Sequence, residues 1–236
     1  MVYLYQQIFY RPIFNLLVFF YDTAAFHNLG FAIILTTLLI RVILYPLFHK
    51  GAKQQMLMQR IQPKVKKVQE EHKGDTQKQS EALMAIYKEH GVNPFSGILL
   101  IIIQLPILLA FYWAIRSGLG AASLTSLYPF VGNPGTINTI FLHVVDLGKS
   151  NFIVIILAAL AQYAQARLAI YRMPGAGAPS AAEKIARQMS FIGPLITILI
   201  FYSLPSAVGL YWFVSSAFSA TQQYFVNRHL LKKYGA

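Results

Sequence analysis

The chain has no cysteine, only eight acidic residues against twenty Lys and Arg, and 12% charged residues in all. Without cysteine, disulfides, thiolate metal sites, a thiol nucleophile and an acylated N-terminal cysteine anchor are excluded. The eight acids (Asp22, Glu70, Glu71, Asp75, Glu81, Glu89, Asp146 and Glu183) all fall outside the long apolar runs. No histidine sits at the centre of such a run either, so a proton relay through the membrane has no groups to work with. There is no phosphate-binding glycine loop, no HExxH and no plausible serine triad. Neither bond-breaking chemistry nor a cofactor is indicated, and the reading is non-enzymatic.

What is present is hydrophobic: 56% of the 236 residues are apolar and the mean hydropathy is +0.50. That balance is far from a soluble domain's and describes an integral membrane protein. Five windows are long and apolar enough to span a bilayer, at 29–48, 95–116, 151–171, 188–203 and 206–226. Leu204-Pro205-Ser206 marks a tight turn between the last two. No β pattern interrupts them, and the expected fold is an all-α membrane protein of five transmembrane helices. Before the first span, Ile13–Tyr21 is too short to cross and is rich in aromatics. Residues 1–27 therefore read as an extracytoplasmic interfacial helix, with a buried packing helix as the alternative. The start of the chain lacks the basic region and cleavage site of a signal peptide.

The cations set the expected orientation. Nine lie between Phe48 and Pro94 (Lys50, Lys53, Arg60, Lys64, Lys66, Lys67, Lys73, Lys78 and Lys88), whereas the 117–150 loop holds only Lys149. Arg167, Arg172, Lys184 and Arg187 cluster in the next connection, and Arg228, Lys232 and Lys233 follow the last span. The positive-inside rule places the N-terminus outside and the 50–93 segment and C-terminus in the cytoplasm. The formal charge of +12 is then topology and attraction to anionic headgroups, not direct nucleic-acid binding. Within 50–93, Met58, Ile61, Val65 and Val68 form one heptad-spaced stripe. After the break at Gly74, Leu83, Ile86, Tyr87 and His90 form a second. The two are expected to close as a cytoplasmic helical hairpin, with Pro63 kinking its first arm or marking its first turn.

One residue breaks the apolar pattern in a way that demands an explanation. Arg41 lies inside the first window, where an unneutralised charge costs roughly 2.5–3.5 kcal/mol on insertion scales. Snorkelling to the cytoplasmic interface would take about eight residues, or about 12 Å, more than the side chain reaches. The remaining setting is a hydrated pocket within the bundle. Thr37, Arg41 and Tyr45 are spaced i, i+4, i+8 on one helical face. Further polar groups face inward from other spans: Gln104 before Pro106, Gln162 and Gln165, Ser190 and Thr197, and Trp212, Ser216, Ser219 and Gln223 beside Tyr211, Ser215 and Gln222. Taken singly, the hydroxyl and amide groups read equally well as interhelical glue. Two rival functions fit a fixed intramembrane cation: a groove that passes polar polypeptide, and a secondary transporter or anion channel using Arg41 as its selectivity charge. The second lacks inverted repeats and broken helix pairs.

Together, Gly30–Leu47, Gln62–Lys64, Asn93–Pro94, Ile103–Ile107, Leu204–Ser206, Gly209–Trp212 and Gln222–Gln223 resemble the YidC/Oxa1/Alb3 membrane protein insertases, in order and spacing, over residues 20–230. The resemblance implies a five-helix core, residues 28–236, around a hydrophilic groove closed to the outside and open to cytoplasm and lipid. Arg41 occupies the position of the groove arginine and Thr37 that of a groove residue one turn earlier. Gln165 matches the third-span glutamine, with Gln162 close enough to compete for the register. Tyr211 and Trp212 match an aromatic pair. The substrate-binding groove is thus expected to comprise Arg41, Thr37, Tyr45, Gln104, Gln165, Gln162, Tyr211, Trp212 and Ser216. The implied activity is nucleotide-independent insertion and assembly of nascent membrane proteins in the bacterial plasma membrane. Its partners would be those chains, the lipid bilayer and, as candidates, the ribosome and Sec translocon. The sequence departs from the pattern of many members in three respects: it shows no large periplasmic domain, no lipoprotein cysteine and no long basic tail. The expectation is a short form whose ribosome contacts would rest on the hairpin and short loops.

Overall fold

The computed structural model describes residues 2–116, 126–170 and 181–234. Tyr171, the expected end of the third span, and the cation Arg172 lie outside them. Among the described residues the elements run α1 (Val2–Tyr5), a π-helical turn (Gln6–Tyr10), α2 (Arg11–Thr23), α3 (Leu29–Ile43), α4 (Tyr45–Glu71), α5 (Thr76–Glu89), α6 (Ser96–Arg116), β1 (Ile140–Phe141), β2 (Val145–Asp146), α7 (Phe152–Ala169), α8 (Ala181–Phe201) and α9 (Ser206–Tyr234).

α2 owes its place to a stripe at i, i+3, i+4 and i+7. Phe14, Leu17, Val18 and Tyr21 are all buried, and they join Leu29, Ile33, Phe111 and Leu147 in the main core. One face of α2 therefore packs into the main core. α3 begins at Asn28, whose side chain accepts hydrogen bonds from the Gly30 and Phe31 N–H groups, an N-cap that satisfies orphan donors of the first turn. Gly30 has no room for a side chain. A Cβ there would stand 2.0 Å from the Phe141 ring.

The first expected span, 29–48, is not one helix. α3 stops at Ile43 and α4 leaves at 66°. Pro46 explains the break: it offers no N–H to the Val42 carbonyl, and its ring clashes there, so it fits only the first turn of a new helix. Pro63, by contrast, lies inside the continuous helix Tyr45–Glu71 and does not mark its first turn. After Gly74, with φ of +103°, Asp75 caps α5 by accepting from the Lys78 N–H. α4 and α5 meet through Ile61, Val65 and Val92, with Leu57, Met58, Leu83, Ile86 and Tyr87 around them. Val92 completes this contact where His90 was expected. The His90 ring turns instead to Lys64 Nζ at 2.8 Å.

α9 packs along α7 and crosses α3 and α6. Small residues allow the approach: Ala158 and Ala207 are fully buried, and a Cβ on Gly209 would come within 3.1 Å of Val154. α7 and the 184–201 part of α8 are each long and apolar enough to cross a bilayer, and the bent α3–α4 pair passes the same test when taken together. α8 begins before the expected boundary at 188, and α9 runs to Tyr234, beyond the expected 226. The short ribbon β1–β2, pairing Ile140 with Asp146 and Phe141 with Val145, qualifies the all-α expectation.

One end of the bundle is fastened by polar contacts. Asn15 is buried; its amide donates to the Arg11 carbonyl at 2.7 Å and the Ser126 carbonyl at 3.0 Å, and its oxygen accepts from the Tyr128 N–H at 2.6 Å. Asn28 donates to the Ile140 carbonyl at 3.0 Å, and the Tyr21 hydroxyl accepts from the Asn138 N–H at 2.9 Å. Ser206, at the start of α9, donates to the Lys149 carbonyl at 2.6 Å. Beside it the Asp146 carboxylate is held below the usual carboxylate range, first by the Thr139 hydroxyl and then by the Gly148 N–H and Lys149.

Asn15→Leu leaves the Tyr128 N–H without its partner, while the Ser126 carbonyl keeps the Arg11 Nε donor. It should cost roughly 1–3 kcal/mol, measured by denaturant unfolding in detergent; a loss under about 0.5 kcal/mol would show that the fastening is dispensable. Because its folded pKa is lowered, Asp146 contributes stability that is complete above about pH 4 and disappears as the pH falls through that lowered value. Thermal unfolding of wild type and Asp146→Asn should therefore differ near neutrality and converge in acid.

Candidate functional site

Arg41 lies in the last turn of α3 and is buried at 6% exposure, yet no ion pair reaches it among the described residues. The ion pairs found there lie in α4–α5 and between Lys149 and Asp146. Its guanidinium is held by neutral dipoles. Nε donates to Ser215 Oγ at 3.0 Å, and Nη2 donates to Gln104 Oε1 at 3.1 Å and also to Ser215 Oγ. Gln104 is itself oriented: its amide N–H groups donate to the Tyr211 hydroxyl at 2.5 Å and to Ser215 Oγ at 3.3 Å. The Tyr211 ring in turn stacks on Phe111 at 4.3 Å between centroids. Three helices, α3, α6 and α9, thus converge on one cation. Among the described residues Nη1 remains buried without a hydrogen-bond partner, and the guanidinium carbon lies 4.4 Å over the Phe48 ring centroid.

Arg41 lines a cavity of about 230 Å³ with Phe48, Gln104, Leu105, Gln165, Trp212, Ser215 and Ser216. A second cavity, of about 460 Å³, shares Gln165 and Trp212 with it and continues along α4 past Gly51, Gln54, Gln55 and Met58 to Asn93 and Pro94. Between the buried cation and the α4–α5 arm the two cavities present amides, hydroxyls and an indole among apolar walls that include Phe48, Leu105, Met58 and Ala166. Such a surface can hydrate and hold an anion or polar chain, but it carries no nucleophile–base pair.

The sequence-derived set divides on this geometry. Arg41, Gln104, Gln165, Trp212 and Ser216 share the smaller cavity, and Tyr211 supports it through Gln104. Gln162 has a different place. Its oxygen accepts from the Thr197 hydroxyl at 2.5 Å and the Trp212 indole N–H at 3.2 Å, so it knits α7, α8 and α9 together and lines only the second cavity. Thr37 is buried but returns its hydroxyl to the Ile33 carbonyl at 2.6 Å and does not line the cavity. Tyr45 is not on the Arg41 face, because the break at Leu44 ends the i, i+4, i+8 spacing. Its ring is 42% exposed and stacks on His49. Two contacts went unassigned from sequence. Ser215 had been noted only as a neighbour of the Trp212–Ser216 stripe. Phe48 lies beyond the break at Leu44, so helical spacing counted from Arg41 does not find it.

The 60Kd inner membrane protein family matches residues 19–233. The chain belongs to this YidC/Oxa1 family. It is 34% identical over 225 residues to a membrane protein insertase YidC of Wolinella succinogenes, covering 95% of the chain and 38% of that protein. To one from Francisella tularensis subsp. novicida it is 32% identical over 202 residues, covering 86% and 33%. The chain thus spans well under half the length of these relatives. Within this YidC/Oxa1 chain, the matched stretch contains every residue of the Arg41 site.

Ser215→Ala should destabilise the protein by about 1.5–3 kcal/mol, the scale for losing hydrogen bonds to a charged group. Ser216→Ala, which removes only a lining hydroxyl, should cost less than about 1 kcal/mol. Equal losses in denaturant unfolding would mean that Ser215 does not anchor the cation.

Proposed function

We propose that this protein inserts nascent membrane proteins into the bilayer, and assists their assembly, through the Arg41 cavity and without nucleotide. The observation that carries the reading is a buried guanidinium with neutral partners and an Nη1 unpartnered among the described residues, beside two cavities that share Gln165 and Trp212 and lie toward a basic arm. A carboxylate beside Arg41 would neutralise the site and leave little field for a passing chain. Serine and glutamine dipoles hold the side chain in place and leave its charge available.

In this mechanism the protein crosses the membrane five times, with its N-terminus outside, and α4–α5 forms a cytoplasmic hairpin that catches the incoming chain. The hydrophilic stretch of that chain enters the cavity and pairs transiently with Arg41, which reduces the desolvation cost over half the bilayer. The apolar segment moves between α6 and α8 into lipid. Burial of apolar area at about 25 cal/mol per Å² drives the transfer, so no other energy source is required. The fastened end, with Asn15, Asn28 and Ser206, closes the cavity from the outside. The names of the relatives, the basic arm and the apolar exteriors of α7 and α8 support this reading. Ribosome and translocon would engage the basic arm and loops.

The test is insertion into liposomes containing only this protein. With wild type, a single-span substrate bearing an acidic N-tail should be inserted with its tail protected from protease. Arg41→Ala should lower that yield roughly tenfold, equivalent to about 1.4 kcal/mol, and leave a neutral-tailed substrate within about twofold. Equal insertion of the acidic substrate by both proteins would refute the electrostatic role. An anion flux through the same liposomes, without insertion, would point to a channel.

A further inference from the structure

Arg41 and the ring that covers it belong to different helices. Arg41 lies in the last turn of α3. Phe48 sits in the first turn of α4, beyond the 66° break, and its N–H closes a hydrogen bond on the Leu44 carbonyl at 3.1 Å. The Phe48 ring therefore travels with α4. α4 packs on α6, α7 and α9 with Ala52 and Met56 buried, and two amides add ties across the bundle: Gln222 of α9 donates to the Tyr45 carbonyl at 3.2 Å, and Gln59 donates to the Ala169 carbonyl at the end of α7. The second tie is incomplete, because Gln59 Oε1 is buried without a partner among the described residues. Breaking it costs less than breaking a fully satisfied contact.

We propose that Phe48 is a charge shield: seated on the guanidinium, it occupies the face of Arg41 that would otherwise attract an anion, and displacement of α4 uncovers it. This rests on the groove reading above and adds a specificity-determining residue to it. Ser215 and Gln104 hold the edges of the planar cation, and the Phe48 ring lies over it within cation–π distance. The ring also lines the same cavity wall as Gln165 and Ser216, so an incoming carboxylate meets an aromatic surface before it meets full charge. A polypeptide that pulls α4 away from Ala169 would thereby arm the cation as it arrives. The gate is mechanical and local, and it couples the arm to the cavity across a single residue, Leu44.

The absence of cysteine makes a direct test available. Gln165→Cys, at the junction of the two cavities, supplies a single thiol in the full chain reconstituted in liposomes. Its rate of reaction is measured with anionic sulfonatoethyl methanethiosulfonate and with cationic trimethylammonioethyl methanethiosulfonate. Phe48→Leu retains apolar bulk but lacks a π face, and should raise the anionic-to-cationic rate ratio roughly fivefold, about 1 kcal/mol. Phe48→Tyr should leave the ratio near that of wild type, and adding Arg41→Gln to Phe48→Leu should abolish the rise. Gln59→Leu, with Phe48 intact, should raise the ratio in the same direction. An unchanged ratio in Phe48→Leu, or an equal acceleration of both reagents, would overturn the shield. A rise in Phe48→Leu with none in Gln59→Leu would overturn its coupling to α4. Because no substrate is present, these results are independent of the insertion assay.

Discussion

A single positive charge held by neutral dipoles sets the terms for the rest of this protein. Arg41 cannot reach water along α3, and no acid meets it among the described residues. Its burial is tolerable only because Ser215, Gln104 and, through Gln104, Tyr211 are all brought to it. That requirement fixes how α3, α6 and α9 sit relative to one another. It also gives the buried Ser215 and the Tyr211 hydroxyl of α9 their partners. Hydrogen bonds from a charged donor are stronger than neutral ones, yet they leave the net charge where it is, and a net charge in a low-dielectric setting has reach.

The bundle treats its two ends differently. At one, side-chain amides and a serine hydroxyl satisfy loop carbonyls and tie α2, α3, β1 and α9 to each other. Toward the other lie the two cavities, which share Gln165 and Trp212, and α4, which packs on α6, α7 and α9 with Ala52 and Met56 buried and is tied to α7 and α9 by two side-chain amides.

Pro46 links these two halves. By forcing α3 to end, it sends the chain out of the bundle and turns a potential long span into a buried rod and an arm. The same break removes Tyr45 from the Arg41 face and brings Phe48 over the guanidinium. One imino acid thus decides which aromatic ring the cation meets.

Residue types alone established the membrane character, the missing acids, the α4–α5 stripes and the singular position of Arg41, because hydropathy and periodicity are local quantities. Helical spacing grouped Ser216 with Trp212, Gln104 stood out before Pro106 in an apolar run, and Gln165 was pointed to by the family resemblance. Tertiary structure decided the rest. Gln165, and not Gln162, shares the smaller cavity because Gln162 is spent on Thr197 and Trp212, residues 35 and 50 positions away. Ser215 rather than a neighbouring hydroxyl anchors Arg41, across 174 residues. Thr37 looked like part of the polar stripe but satisfies its own backbone. Which polar group meets which is set by interhelical rotation and by a kink, neither of which leaves a local trace. The sequence by itself could place a charge in the membrane, but only the packing of α3, α4, α6 and α9 could say what surrounds it.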